Sequence, residues 1–255
     1  MKKAVIITSI FEVDNNYPLT YGTSRSYFTA EDRLRQTTFS VASLDGIRDN
    51  GIDIFIIDGS INIDIYRDFF KYQKNLKFIS VKEEFPEILA TVRSGGNTGQ
   101  CEALMLIKFI EKYKSVLENY DIIFKLSGRY FIDSTFDIKI FNDDSISKIY
   151  FKTHDSIPWS DEWSKSFKIL DRREIQQNNN LHQYSTVLFG WGKEYLNIML
   201  EIFKRLAAFT GSDEGQYFSM ETLMYFYTRP YEKDIIETNW TIYGWAGTGG
   251  NFIRY

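Results

Sequence analysis

Short apolar runs rich in β-branched residues alternate with segments of helical period along the first half of the chain. Residues 4–9 (Ala-Val-Ile-Ile-Thr-Ser), 52–58, 76–81 and 121–126 are apolar at consecutive or nearly consecutive positions. That is the pattern of strands buried on both faces, as in a parallel sheet. Between them the spacing predicts helices. Thr29-Ala30-Glu31-Asp32 supplies an N-cap and first-turn acids, Leu34, Val41 and Leu44 share a face, and Asn50-Gly51 supplies a stop. Residues 61–72 are predicted helical. A loop carrying Pro86 and Gly95-Gly96 then leads to a long helix, where Ala103, Leu106, Ile107 and Ile110 recur at i, i+3, i+4 and i+7.

This order predicts an α/β fold, a Rossmann-like and mostly parallel central sheet flanked by helices. The second half is less regular. Residues 148–152 and 184–189 are predicted strands, and 195–206 and 215–227 predicted helices. The tail, 240–255, is rich in Gly and aromatics and reads as loop. No repeat and no low-complexity linker interrupts the chain. One domain with a mixed back half is expected.

Composition narrows the function. The 255 residues carry a net charge of −4, so no basic footprint exists for a nucleic-acid backbone. The single cysteine, Cys101, excludes an intramolecular disulfide and a cysteine zinc site, and fits a reducing, cytoplasmic location. Two histidines, His154 and His182, cannot make a three-histidine zinc site. The N-terminal apolar run ends at Glu12 and Asp14 without a cleavage site, and no stretch approaches the ~20 apolar residues of a membrane span.

Ligands of open parallel sheets bind at the carboxyl ends of the strands. That rule selects Thr8-Ser9-Ile10, Asp58-Gly59-Ser60 and Lys125-Leu126-Ser127-Gly128-Arg129 as one rim. No Gly-x-Gly-x-x-Gly follows the first strand, and neither a P-loop nor a Gly-x-Ser-x-Gly elbow is present. Dinucleotide oxidoreductases, P-loop ATPases and α/β-hydrolases are thereby disfavoured.

The fourth strand and its continuation read Tyr120-Asp121-Ile122-Ile123-Phe124-Lys125-Leu126-Ser127-Gly128-Arg129-Tyr130. In many nucleotide-sugar glycosyltransferases of the GT-A fold, a strand at this place ends in Asp-x-Asp, whose carboxylate holds a divalent metal. Here Ser-Gly-Arg-Tyr stands there instead. Together with Ser24-Arg25-Ser26-Tyr27-Phe28-Thr29-Ala30-Glu31-Asp32-Arg33 and Gln36-Thr37, the chain resembles the WavE-type bacterial lipopolysaccharide and capsule synthesis family. The second half adds only His182-Gln183 and a Glu-bearing aromatic helix around Glu221. The resemblance implies a single GT-A-like domain over 1–255, with 1–130 for the nucleotide sugar and 131–255 for the acceptor. It implies a cytoplasmic transferase with a nucleotide-sugar donor and a saccharide acceptor, free or lipid-linked. Peripheral contact with the inner membrane face stays open. No metal ligand and no Asp-x-Asp-bound metal is predicted, although a divalent ion on non-adjacent carboxylates is not excluded.

A leaving nucleoside diphosphate gains negative charge as the sugar bond breaks. An Arg fork binds phosphate bidentately and stays charged. At ~4 Å and an effective dielectric near 20, one such pair contributes roughly 4 kcal/mol before desolvation. Arg129, helped by Lys125 or Arg25, is therefore the expected stand-in for a metal, and Gly128 would admit the phosphates closely. Thr8, Ser9, Asp58, Gly59, Ser60, Ser127 and Tyr130 complete the expected donor contacts. Arg33 is expected to be structural. Residues 98–102 open the long helix and offer either an anion site or an ordinary cap.

An inverting transfer needs a base for the acceptor hydroxyl. Glu221, Asp213 and Glu214 are the catalytic candidates. Trp159 and Asp161 lie in an aromatic and acidic loop of the kind that stacks sugars, and His182, Gln183, Trp240 and Trp245 are further acceptor candidates. Asp143-Asp144 reads as a turn. A non-catalytic carbohydrate- or nucleotide-binding module is the alternative, and a sugar nucleotidyltransferase the weaker one.

Overall fold

Strand β1 (Lys3–Ser9) is the middle of the protein, and all its residues but Lys3 are buried. Strands pair along both of its edges, and its two faces are buried in two separate core layers. β2 (Ile52–Asp58) and β4 (Ile122–Ser127) both pair with it in parallel. β3 (Leu76–Ser80) extends the sheet beyond β2. On the other side β10 (Leu188–Gly192) runs antiparallel to β4 and to β6 (Ile149–Lys152), and β11 (Ile235–Thr238) closes the edge parallel to β6. The seven-stranded order is β11-β6-β10-β4-β1-β2-β3. The computed structural model describes residues 1–20, 24–45, 51–138, 141–158, 176–177, 180–247 and 249–254.

Alternation along the strands sorts the core into two layers. Ala4, Ile6 and Ile123 pack with one cluster, against α5 (Thr98–Leu117) and α6 (Leu196–Thr210). Val5, Ile7, Ile122, Phe124 and Leu126 pack with the other, which includes Val41 and Leu44. Lys125 falls on the face of Ile123, the one cation in that strand's run of apolar side chains.

Helix α1 (Ala30–Ser43) starts where the sequence places it. Thr29 accepts the Asp32 amide, and Asp32 returns the bond to the Thr29 amide. It ends at Ser43 rather than at Asn50, which lies outside the described residues. Its buried positions are mostly polar, Arg33, Gln36, Thr37, Ser40 and Val41. The predicted Leu34–Val41–Leu44 face is only one side of its packing.

Helix α2 (Ile63–Phe70) is shorter than the 61–72 expected, and the turn α3 (Val81–Glu84) takes Val81 out of the third strand. The expected loop around Pro86 is helical, α4 (Pro86–Ser94), with Pro86 at its first position. A proline there sacrifices no intrahelical bond.

The back half departs further. Residues 184–187 are no strand. They link β9 (Asn180–Gln183) to β10. Helix α7 (Met220–Thr228) begins only after a turn, capped by Ser219. The tail is not a loop either. β12 (Ile242–Trp245) pairs antiparallel with β5 (Tyr130–Ile132) and with β13 (Phe252–Arg254). A third small sheet joins β9 to β7 (Asp155–Pro158) and β8 (Gln176–Gln177). No helix among the described residues is long and apolar enough to cross a membrane.

Candidate active site

A cavity of about 290 Å³ opens where β1 and β4 end. Thr8, Ser9 and Ile10 form one wall, Ser127, Arg129 and Tyr130 another, and Thr98, Cys101 and Glu102 of α5 a third. Arg25, Arg33, Thr186, Glu221 and Gly247 close it.

Three guanidinium groups converge here. Arg129 is half-buried, and its Nε donates to the Trp245 carbonyl at 3.2 Å. No carboxylate pairs with it among the described residues. Arg33 is buried. Its Nε donates to the Ile10 carbonyl at 2.5 Å and its Nη1 to Ser26 Oγ at 3.3 Å. Burial first, and then Arg129, push the Arg33 guanidinium down to about 9, against the pull of Asp58. Arg25, also buried, donates to the carbonyls of Tyr17 (3.2 Å) and Gly95 (2.5 Å). It anchors the loop after β1.

Lys125 is fully buried and sits beneath the cavity rather than in its wall. Its ammonium reaches Glu102 Oε1 at 2.5 Å, the Thr186 carbonyl at 2.6 Å and Ser127 Oγ at 2.7 Å. Thr8 Oγ1 donates to the same Glu102 oxygen. Burial lowers the lysine's affinity for its proton, while Glu102 and Glu221 oppose that shift. Lys125 thus holds three wall groups in place. Glu221 is placed by Thr186, whose hydroxyl donates to its Oε1 at 2.7 Å.

Several sequence candidates lie elsewhere. Asp58, Gly59 and Ser60 do not line the cavity. Asp58 is buried, accepts the Phe11 and Ser60 amides at 3.1 and 2.8 Å, and so ties the end of β2 to the chain after β1. Ser60 Oγ accepts the Glu12 amide at 3.0 Å, and a Cβ at Gly59 would meet Val92 at 2.7 Å. These residues are used up in packing. Gly128 lies under the rim, where a Cβ would stand 2.9 Å from Thr37 Oγ1 and 3.1 Å from the Thr8 carbonyl. Its glycine serves the contact of β4 with β1 and α1.

Asp213 and Glu214 sit exposed in the turn between α6 and α7, away from the cavity. Trp240 is a core residue at 2% exposure, against Phe136 at 5.0 Å and Phe124 at 6.2 Å. Trp245 gives the cavity its carbonyl, while its ring packs on Phe39, Phe131 and Phe252. His182 and Gln183 lie in β9 outside this cavity, with His182 stacked on Tyr225 at 5.4 Å. Trp159 and Asp161 lie outside the described residues.

The sequence reading did not single out Arg33, Glu102 or Thr186 as contacts. Two of them carried a signal. Arg33, Gln36, Thr37 and Ser40 make a polar stripe at helical spacing, and Glu102 stands three and four residues before the buried Met105 and Leu106. A charge on an apolar helix face needs a partner.

The donor set does not fit a divalent ion. β4 and its continuation end in Ser127-Gly128-Arg129, without a carboxylate. Glu102 is held by Lys125 and Thr8, and Glu221 faces Thr186. No cluster of three or more His, Cys, Asp or Glu suited to a metal exists among the described residues, and an ion here would meet Arg129 and Arg33.

No protein-family model matches the chain, and no curated protein matches it. Solved structures do. A galactosyltransferase, LgtC, in complex with donor and acceptor sugar analogs, aligns over 92% of this chain and 72% of its own at 10% identity, with a TM-score of 0.45. Core-mannan synthase A (CmsA/Ktr4) from Aspergillus fumigatus, in a Mn/GDP form, aligns over 94% of this chain and 73% of its own at 10% identity, with a TM-score of 0.51. At such identity the likeness shows the fold alone, and with core-mannan synthase A the chain shares a mixed α/β, GT-A-like architecture.

Proposed function

We propose that the chain is a nucleotide-sugar glycosyltransferase whose donor diphosphate sits in the cavity at the ends of β1 and β4. The observation that carries this is the gathering of Arg25, Arg33 and Arg129 on one cavity without an ion-paired carboxylate among the described residues. Among the described residues Lys125 and Glu102 neutralise each other, and Glu221, with Asp58 behind Arg33, is left to offset three arginines, so positive charge is in surplus. An anion of diphosphate size fits that surplus, and the GT-A architecture makes a nucleotide sugar the anion of choice.

In this reading Arg129 and Arg33 meet the charge that grows on the β-phosphate as the bond from the anomeric carbon to its oxygen breaks. Thr8, Ser9, Ser127 and Tyr130 supply donor contacts, and Arg25 fixes the loop that covers them. Glu221 takes the proton of the acceptor hydroxyl as the new carbon–oxygen bond forms. The resemblance in Ser24–Arg33 and Lys125–Tyr130 favours a bacterial surface polysaccharide as acceptor. Residues 1–130 then serve mainly the donor and the second half the acceptor, at the inner face of the membrane.

The test is a thermal-shift panel of UDP, GDP, CMP and dTDP, each with manganese and with chelator. Ligand binding to the folded state raises the midpoint, by about 2.7 kcal/mol of stability at a hundredfold excess over Kd. One nucleotide that stabilises equally under both conditions supports the reading. Stabilisation only with manganese removes the roles of Arg129 and Arg33. No shift from any of them turns the chain into a non-catalytic module.

A further inference from the structure

A second cavity, also of about 290 Å³, lies beside the first. Tyr184, Tyr225, Arg229, Glu232, Ile235 and Glu237 line it. The two cavities share two walls. Glu221 of the first and Tyr225 of the second are four residues apart on α7, with Arg229 a further four along, so they form one stripe at helical spacing. Thr186 of the first and Tyr184 of the second are two apart on the segment before β10, and the Tyr184 amide donates to the Glu221 carbonyl at 3.2 Å. Along α7 the wall residues of the two cavities are therefore one helical turn, ~6 Å, apart. That is close to the length of one pyranose unit.

The walls suit a sugar ring. Tyr184 and Tyr225 stand 5.0 Å apart, and His182 backs Tyr225 in a near-parallel stack. Phe151 stacks on one face of Tyr184 at 4.1 Å and Arg229 lies over the Tyr225 ring at 5.8 Å, so the tyrosines leave a pyranose a partial apolar wall and their hydroxyls. Around them stand groups that bond hydroxyls. Glu237 accepts from Tyr184 OH at 3.3 Å and pairs with His154 Nδ1 at 2.8 Å. Glu232 lies 3.9 Å from Arg229 Nε, and Arg229 Nη1 donates to the Tyr225 hydroxyl at 3.4 Å. Arg229 is thus matched by Glu232, and Glu237, held by His154 and Tyr184, gives the lining one more carboxylate than cation. An acidic sugar would meet that carboxylate, whereas neutral and amino sugars would find acceptors.

Resting on the glycosyltransferase reading, we infer that this second cavity holds the next sugar unit of the acceptor, one residue beyond the unit that carries the attacking hydroxyl. The acceptor is then an oligosaccharide with a neutral or amino sugar at that position. Tyr225 provides part of its aromatic wall, and Glu237 and Glu232 read its hydroxyls.

Amide NMR on the full chain tests this. The probes are glucose, maltose, maltotriose, lactose, mannobiose, chitobiose, glucosamine and glucuronic acid, each titrated with and without the four nucleotides named above. The expected result is that a saccharide of two or more units shifts the amides of Tyr184, Tyr225 and Glu237, while glucuronic acid binds more weakly. Tyr225→Ala and the exposed Glu232→Gln should each weaken that binding by about tenfold and leave the nucleotide response at Arg129 intact. Silence of the second cavity towards every saccharide overturns the inference. So does a preference for the acidic sugar, or binding untouched by a folded Glu232→Gln protein. Nucleotide shifts at Arg129 report the parent reading independently. Their absence beside a responsive second cavity would sink the transferase and keep the saccharide site.

Discussion

Lys125 Nζ stands 2.5 Å from Glu102 Oε1, joining the fourth strand to the long helix beneath the cavity. The lysine is fully buried and the glutamate side chain about 20% exposed. The same ammonium holds the Thr186 carbonyl and the Ser127 hydroxyl. A cation so placed fixes wall geometry more than it binds ligand.

Removing it should therefore cost stability before it costs chemistry. Lys125→Met leaves a carboxylate and a carbonyl without their donor, and breaking a buried pair costs about 3–5 kcal/mol. Glu102 retains some solvent, so the lower end is expected. Urea unfolding should show the midpoint falling with its slope unchanged. Adding Glu102→Leu should return part of the loss. Strict additivity of the two changes would show that the pair is not coupled.

Arg129 should behave in the opposite way. Its guanidinium pairs with no carboxylate among the described residues, and one Nε–carbonyl bond holds it. Arg129→Ala should leave the thermal midpoint within about a degree or two and lower kcat by roughly 10²–10³, the effect of losing one charge-stabilising donor. Arg129→Lys keeps the charge but not the fork or the Trp245 anchor, and should recover only a small part. A folded Arg129→Ala protein with undiminished turnover would refute the assignment.

Glu221→Gln keeps the acceptor oxygen for Thr186 but cannot take a proton. A loss of kcat of about 10²–10⁴ is expected, with nucleotide binding preserved. Turnover equal to wild type in the folded variant would move the base elsewhere.

The sequence shows the sheet's first four strands because each is a continuous apolar run, and such runs need cover on both faces. β11, β12 and β13 escaped because short edge strands such as Ile235–Thr238 mix polar and apolar residues and sit among glycines and aromatics. The strand-end rule picks Thr8, Ser9, Ser127 and Arg129, which line the cavity. Asp58 and Ser60, picked by the same rule, satisfy turning backbone amides instead of lining it. Arg33, read as structural on its amphipathic helix, lines the cavity as well. Glutamate at 102 was hidden in a helix opening, where capping is the commoner use.

Gly128→Ala separates packing from ligand approach. The added methyl would meet Thr37 Oγ1, the Thr8 carbonyl and Ser9 Cβ at 2.9, 3.1 and 3.3 Å. Two of these neighbours belong to β1, and the third is bonded to the Gly128 carbonyl at 2.7 Å. Overpacking of this kind costs about 1–3 kcal/mol. A lower thermal midpoint with nucleotide affinity within about twofold is expected. Lost affinity at an unchanged midpoint would restore the phosphate role for this glycine.

Asp58 gives the protein a pH signature of unusual sign. Burial is the dominant influence and raises its carboxyl from 3.8 to about 6, against the bonds from Ser60 and Phe11 and the charge of Arg33. Between those two values the folded state holds a proton that the unfolded chain has released. Stability from this group therefore falls as pH rises from about 4 to about 6, by on the order of 3 kcal/mol, and is level above. Ordinary carboxylates such as Asp234 and Asp121, whose values are lowered from 3.8, push the other way, mainly below about pH 4. The comparison must thus be with Asp58→Asn, which cannot titrate and turns an amide donor towards one backbone N–H. Its penalty should be largest near pH 4 and shrink as pH approaches 6.5. Urea midpoints of both proteins across pH 4–7 give the difference, and parallel curves would show that Asp58 is ionised in the fold throughout.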